Sequence, residues 1–436
     1  MSLSLISIYT LNQTFHWFIV GLFFPIMILF LIDKGLDNLQ VGTTVAVYSA
    51  ALVLLELPTG GLSDSIGRKR VYLISVAVQL ASVLWLIVSW NYAGLLVGFF
   101  GTGTARALSS GTIDAWFVDE FKHANPKGDL QRALAKANIF IPAGIAAGSL
   151  LGGVIPMTLG SSLEGTLGTS GYSANLIVMS VALVVQFIMT SILVVEVANR
   201  AHSTSVLSGL KQFPEVISAS IKYGVKNRVI LTLMVASLVL GFGMMSLEVF
   251  WQPQLKGILG PNEQSWIFGV MAAGYFLAAS IGNILITPMC SKLGKNYPQI
   301  LLGLRLVLGA SLIVLAFQNT VLGFAVFFMS FLLINGMSNS PHATIFNSQV
   351  PGERRSTLMS FESFVLQIGV LTGALTFGYI AEVMSIRTAW VVAGGMLIAS
   401  SAMYLLLSSG KYRDRIKADT CVVEPAGISS VMLDEP

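Results

Sequence analysis

Twelve stretches of about 20 apolar residues, the length that crosses roughly 30 Å of hydrocarbon, follow one another along this chain and leave no room for a soluble domain. They fall at about 7 to 32, 40 to 63, 71 to 90, 93 to 117, 134 to 156, 174 to 197, 229 to 252, 266 to 289, 299 to 317, 320 to 343, 357 to 381 and 387 to 408. Only 11% of the residues are charged, against the roughly 25% of soluble domains. The expected fold class is an all-α integral membrane protein with twelve transmembrane helices. The first stretch is too long for a signal peptide and lacks a small-residue cleavage site, so it is expected to stay as a helix.

Lysine and arginine mark the sides of the membrane, because cytoplasmic loops carry the excess. If the N-terminus is inside, Lys34, Lys256 and Arg387 alone fall in outer loops, and Arg106 and Arg305 lie inside spans. The rest of the 25 cations are then inside, including Arg68, Lys69 and Arg70. This predicts a multi-pass protein of the cell membrane with both termini cytoplasmic. The net charge of +4 is thereby a topology signal and gives no reason to expect nucleic acid as a partner. Cys290 and Cys421 are both assigned to the reducing side, where a disulfide is not expected.

The longest inner connection, 198 to 228, splits the spans six and six. Val206, Leu210, Phe213, Ile217 and Ile221 recur there at helical spacing, which predicts an amphipathic helix on the membrane surface. The expected domains are residues 1–197, this linker, residues 229–410 and a disordered cytoplasmic tail, 411–436. The halves echo one another. "DKGLDNLQVG" parallels "LKGILGPNEQSWIFG", and "SDSIGRK" parallels "CSKLGKN", which keeps Gly67 as Gly294 and Arg68 as Lys295. A duplicated six-helix unit explains both.

Gly60, Asp64, Gly67, Arg68, Lys69 and Arg70 fit the pattern Gly-x3-Asp-(Arg/Lys)-x-Gly-x-(Arg/Lys)-(Arg/Lys) between the second and third spans, with Ser65 standing where a cation is usual. With that motif, twelve spans and a six-plus-six division, the chain resembles the major facilitator superfamily over nearly its full length. In the fifth span, Gly144, Gly148, Gly152 and Gly153 resemble the glycine motif of the drug and metabolite proton antiporters, with Ser149 in place of its proline. Small residues at this spacing also let any two membrane helices approach closely. Arg106 resembles the intramembrane arginine often found in helix four, although Gly111 is displaced and the family's glutamine is absent.

The resemblance implies two pseudo-symmetric six-helix bundles, with the first, fourth, seventh and tenth helices lining a central cavity. It implies alternating access and export of an amphipathic drug or small metabolite in exchange for protons, by a monomer without cofactor. Asp64 is placed to face the start of helix eleven, at Ser356 and Thr357, where free N–H groups favour an anion. Arg68 and Arg70 are placed to reach Asp119 or Glu120. Together these form a gating latch.

Acids inside the spans are costly unless they are paired or face water. Glu56, Asp114, Glu248 and Glu362 therefore stand out, while Asp119 and Glu196 lie near helix ends and call for no special role. Glu56, Gly60 and Asp64 share one helical face, which in the superfamily looks toward helix eleven. Glu56 and Asp114 are candidates for the coupled proton, each able to pair with Arg106 in one state and release it in the other; a purely structural pairing is the alternative. Asn335, Ser338, Asn339 and His342 form a polar stripe on helix ten, and Asn12, Gln13, His16 and Trp17 one on helix one. His16, Trp17, Asn335, Asn339 and His342 are substrate-cavity candidates, against wetted walls or packing. Glu248, with Met244, Met245, Phe242, Phe250 and Trp251 around it, is a further cavity or outer-gate candidate, and core packing explains its neighbours equally well.

The sequence carries no metal-ligand cluster, nucleophile-base pair or nucleotide loop. It is expected to be no enzyme, and transport to be driven by a gradient or to be passive. The rivals are a proton-coupled or passive nutrient importer and a lipid-linked flippase; from another class, a receptor or scaffold with the same fold moves no substrate.

Overall fold

The computed structural model describes residues 4–160, 162–163, 170–196, 227–260, 264–294, 296–350 and 355–409. Twelve membrane helices stand among these residues. They are α1 (Leu5–Asp33), α2 (Asn38–Ile66), α3 (Arg68–Val88), α4 in two pieces (Tyr92–Ser109 and Thr112–Ala124), α5 (Leu130–Gly160) and α6 (Ser173–Leu193). The second set is α7 (Arg228–Leu259), α8 (Trp266–Lys292), α9 (Tyr297–Ala316), α10 (Val321–Gln349), α11 (Arg355–Val383) and α12 (Ile386–Ser408). The linker helix expected over Val206 to Ile221 and the tail 411–436 lie outside the described residues.

Eleven helices are long and apolar enough to cross a membrane by length and composition. α4 is the exception. It breaks at Ser110 and Gly111, and Gly111 has φ +65°, a left-handed conformation that glycine adopts without cost. The helices start on local signals: Asp37 and Gln40 form a capping box on α2, and Asn91, Asp129, Thr320 and Ser385 each accept an amide at the start of a helix.

The halves repeat in packing as well as in order. α1 packs on α5, α2 on α4 and α3 on α6; correspondingly α7 packs on α11, α8 on α10 and α9 on α12. Gly67 and Gly294, matched in the sequence, both take positive φ, +95° and +67°. The other match shifts: the partner of Gly35 (φ +88°) is Gly260 (φ +66°) and not Gly257, because α7 stays helical through Leu259.

An even number of crossings brings α1 and α12 to the same end of the bundle, the near end. At the opposite, far end the halves are joined by α2 on α11 and α5 on α8. Asn38 donates to Glu382 Oε2 through its backbone N (2.9 Å) and Nδ2 (3.0 Å). Ser265 Oγ donates to the Gly153 carbonyl at 2.6 Å. α1 is interrupted by a 3₁₀ turn at Phe24–Ile26, around Pro25, and α7 repairs the break. Gln252 Nε2 donates to the Phe24 carbonyl (2.9 Å), and its Oε1 accepts from Ile28 N (2.9 Å) and Leu29 N (3.4 Å). Backbone freed inside a bilayer needs such partners. Among the described residues α4 and α10 do not pack together, and Glu56, Gly111 and Asn339 are exposed. Among the described residues, the hydrogen bonds named here between the halves lie at the far end.

Candidate functional site

The glycines of α5 bring the first half to its working shape. A side chain at Gly144, Gly148 or Gly152 would overlap the α1 backbone at Thr14, Phe18 and Leu22, and one at Gly153 would overlap Gly269 of α8. Three of the four therefore set how closely α1 lies on α5, and the fourth serves the junction between halves. α11 repeats the device, since Gly369 and Gly373 abut the α7 backbone at Leu238 and Phe242.

In the middle of the molecule the first half presents Arg106 over the Trp17 ring, 4.9 Å from its centroid, a favourable cation-π contact. Among the described residues Arg106 has no ion pair with Glu56 or Asp114, so the expected pairing is not made in this conformation. Glu56 instead accepts a hydrogen bond from Ser110 Oγ of α4 at 3.0 Å and is exposed; it faces α4 rather than α11. The α4 break at Gly111 turns that hydroxyl toward it.

Asp114 is held from α1. Tyr9 OH and Gln13 Nε2 both donate to its Oδ1 at 2.6 Å, and the Tyr9 ring stacks on Phe117 at 4.2 Å. His16 belongs to a buried chain: its Nδ1 lies 3.1 Å from Tyr72 OH, which accepts from Gln186 Nε2 at 3.0 Å. Gln186 also donates to Asn12 Oδ1 (3.1 Å), and Asn12 donates to Thr190 (2.8 Å). These bonds tie α1, α3 and α6 together around His16.

The second half presents Glu248, half-buried, which accepts from Tyr275 OH of α8 at 2.8 Å. The Tyr275 ring meets Phe24 at 5.5 Å and Phe328 at 6.2 Å, and Phe24 also meets Phe276 at 5.0 Å. Glu248 is thus an interior residue beside an aromatic wall, not a residue of the outer interface. Its neighbours Phe250 and Trp251 are fully buried, and Met244 and Met245 nearly so, which makes them core. On α10, the buried Oδ1 of Asn335 has no hydrogen-bond partner among the described residues, and Asn339 is exposed. His342 pairs with Glu362 of α11, and Ser237 Oγ of α7 donates to that carboxylate at 3.0 Å.

At the near end the motif loop is organised by a residue that sequence reading set aside. Glu196 accepts from Arg68 N (2.8 Å) and Lys69 N (3.2 Å), the first free amides of α3, where the helix dipole favours an anion. A side chain at Gly67 would meet Glu196 Oε2 at 2.8 Å. Arg68 Nη1 pairs with Asp119 Oδ2 at 2.7 Å, as expected, and Arg70 is exposed. The side chain of Asp64 and those of Ser356 and Thr357, and hence that arm of the latch, lie outside the described residues, as does the surrounding of Gly60.

A family profile, that of the Major Facilitator Superfamily, matches residues 9–337 and 233–424. The chain belongs to this superfamily. It is a membrane transporter by family and fold, not an enzyme. It is 24% identical over 403 residues to the uncharacterized MFS-type transporter YxaM of Bacillus subtilis (strain 168), covering 91% of this chain and 94% of that one. It is 19% identical over 404 residues to the quinolone resistance protein NorA of Staphylococcus aureus (strain COL), again covering 91% and 94%. Among solved structures, the nucleoside transporter NupG superposes with a TM-score of 0.75 at 14% identity, over 93% of this chain and all of that one (100%). A bacterial homolog of the human lysosomal transporter Spinster, in an inward-facing and occupied conformation, gives 0.69 at 12% identity, over 95% and 96%. These likenesses establish the fold, and leave substrate and direction to the site.

Proposed function

We infer that this transporter exports an amphipathic organic molecule in exchange for protons, by alternating access around a site between the halves. The observation that carries the reading is a pair of opposite charges at the centre: Arg106 on Trp17 from one half and Glu248 on Tyr275 from the other. Neither has an ion-pair partner among the described residues. A charge kept inside a membrane without a partner has a reason, and a ligand that carries its own charge on an aromatic body supplies one. The unpaired amide oxygen of Asn335 offers a further contact.

The cations of the motif loop gather at the near end, which supports a cytoplasmic near end and both termini inside. The hydrogen bonds that join the halves at the far end are then on the outer side. Likeness to a quinolone resistance protein supports export of a drug-like compound, and the tight α1–α5 packing through Gly144, Gly148 and Gly152 fits a half that rocks as a rigid unit. One chain contains both halves and the whole site, which supports a working monomer.

The test is purified protein in liposomes with an imposed pH gradient, offered a cationic dye, a quinolone, a nucleoside and a sugar. The dye or the quinolone should move against its gradient, opposite to the protons. Arg106→Ala and Glu248→Gln should each weaken apparent affinity for it about tenfold, the worth of one hydrogen bond to a charged group. Movement of a nucleoside or sugar along with the protons would replace export by import, and no movement of any probe would end the exporter reading.

A further inference from the structure

Three side chains from three helices of the second half converge on one oxygen. Glu362 Oε1 on α11 accepts from Ser237 Oγ of α7 at 3.0 Å. The same oxygen meets His342 Nε2 of α10, and that nitrogen lies 3.3 Å from the Ser237 hydroxyl. The His342 and Glu362 side chains are 18% and 19% exposed, so the pair is neither sealed off nor in bulk water. Ala236, Ile345, Phe346 and Leu358, close to the three in the chain, belong to one apolar cluster.

We propose that His342 and Glu362 form the proton-binding site of this transporter, with Ser237 positioning the carboxylate. The proposal rests on the proton-coupled reading above and assigns the coupling to this pair in place of Glu56 and Asp114. The proton is taken up at His342 Nε2 from water on one side, shared with Glu362 Oε1 while bound, and returned to water on the other side. On uptake an O–H bond of hydronium breaks as the N–H bond forms, and on release the N–H bond breaks as an O–H bond to water forms.

Two features favour this assignment over a structural pair. An imidazole changes charge between about pH 5 and 8 with no special environment, which an amide or hydroxyl in its place would not do. The pair also sits where a change of charge matters, because α11 packs both on α7 in its own half and on α2 across the molecule. Altering one contact there biases the arrangement of the halves, which is the differential interaction that coupling requires. Other charged and titratable groups stand on the helices packed against the pair: Glu248 of α7 bonds Tyr275 of α8, Lys256 of α7 lies over the Tyr172 ring, and Glu382 of α11 bonds Asn38. Arg305 of α9 and Tyr404 of α12 bond each other, and Arg305 also bonds the Ala236 carbonyl. Arg228 begins α7 and Lys292 ends α8. Arg387 of α12 bonds the Ala316 carbonyl at the far end. On α2, across the molecule, stands Glu56, with Asp114 on α4 behind it.

The test uses the full chain in liposomes with ethidium as the probe, in two modes: accumulation driven by a pH gradient, and exchange of labelled for unlabelled ethidium without one. Glu362→Gln and His342→Gln should lose driven accumulation by about tenfold or more while exchange stays within about twofold, the range of coupling between two ligands. Ser237→Ala should lose less. If wild type exchanges ethidium but no gradient drives it, the proton-coupled reading falls and this assignment with it. If the gradient drives both wild type and Glu362→Gln equally, only the assignment falls.

A second measurement needs no transported probe and no variant that is active. Carbon NMR of histidine-labelled protein should show one imidazole signal, missing from the His342→Gln spectrum, that changes when the sample is taken from about pH 5 to about pH 8. The same signal should titrate with an altered midpoint in Glu362→Gln. A His342 signal constant across that range would overturn the proposal.

Discussion

Each half of the molecule carries one carboxylate toward the near end that is gripped by two side-chain donors, yet the donors differ in kind. Asp114 of the first half receives Tyr9 and Gln13, both from α1. Glu362 of the second half accepts from Ser237 of α7 and is in contact with His342 Nε2 of α10. An amide never changes charge, and a phenol does so only near pH 10. An imidazole changes charge in the physiological range. The donors of the first cluster therefore only hold a shape, whereas the second adds an imidazole that can carry a proton. The two acids stand on helices that the repeat does not match, α4 and α11, so the proposed switch is a feature of the second half and not a duplicated one.

The comparison is most exposed to a variant that strips the brace. Tyr9→Phe together with Gln13→Ala leaves the Asp114 carboxylate half-buried without donors, which costs about 2 to 4 kcal/mol when hydrogen bonds to a charged group are lost. The melting temperature in detergent should drop by several degrees while the pH dependence of transport keeps its midpoint. A moved midpoint would make Asp114 a second switch. Asp114→Asn is milder, because the amide oxygen still accepts from both donors. It should lower stability by about 1 kcal/mol and leave gradient-driven transport within about twofold of wild type. Glu56→Gln should do least. Its carboxylate is exposed and holds one hydroxyl, and isolated exposed polar contacts contribute little. Transport assayed in the same liposomes should stay within about twofold, and a full loss of driven transport would return the proton to Glu56.

The fold was legible because the membrane leaves so few choices. Length and hydropathy reveal the helices, and glycines such as Gly67 and Gly294 reveal the repeat. α4 was read as one span, 93 to 117, whereas its helix breaks at Ser110 and Gly111 and runs on to Ala124. The site was legible as a set of residues and not as a set of pairs. The cost of an acid inside an apolar span picks out Asp114, Glu248 and Glu362, and spacing along one helix face picks out His342. Neither carries information on which helix comes to meet them. Arg106 was therefore matched to acids when it rests on Trp17, and Glu196, 128 positions from Arg68, was passed over as a helix-end residue. Gln252 escaped notice for the same reason, as nothing near it in the chain announces the broken α1 backbone it repairs. Tyr72 and Gln186, uncharged and inside apolar runs, gave no signal at all.

The central claim is that the halves rock about the middle and that the charge on the His342–Glu362 pair sets which way they lean. The most direct measurement is the distance between spin labels at the far end, on Leu39→Cys of α2 and Tyr379→Cys of α11, both exposed beside the Gly42–Gly378 contact, with Cys290 and Cys421 replaced. Pulsed dipolar spectroscopy at about pH 5 and about pH 8 brackets the imidazole range. The expected result is a short and a longer population in wild type whose proportions change with pH, and proportions that no longer respond to pH in Glu362→Gln. A single short distance at every pH, or an unchanged pH response in Glu362→Gln, would contradict it.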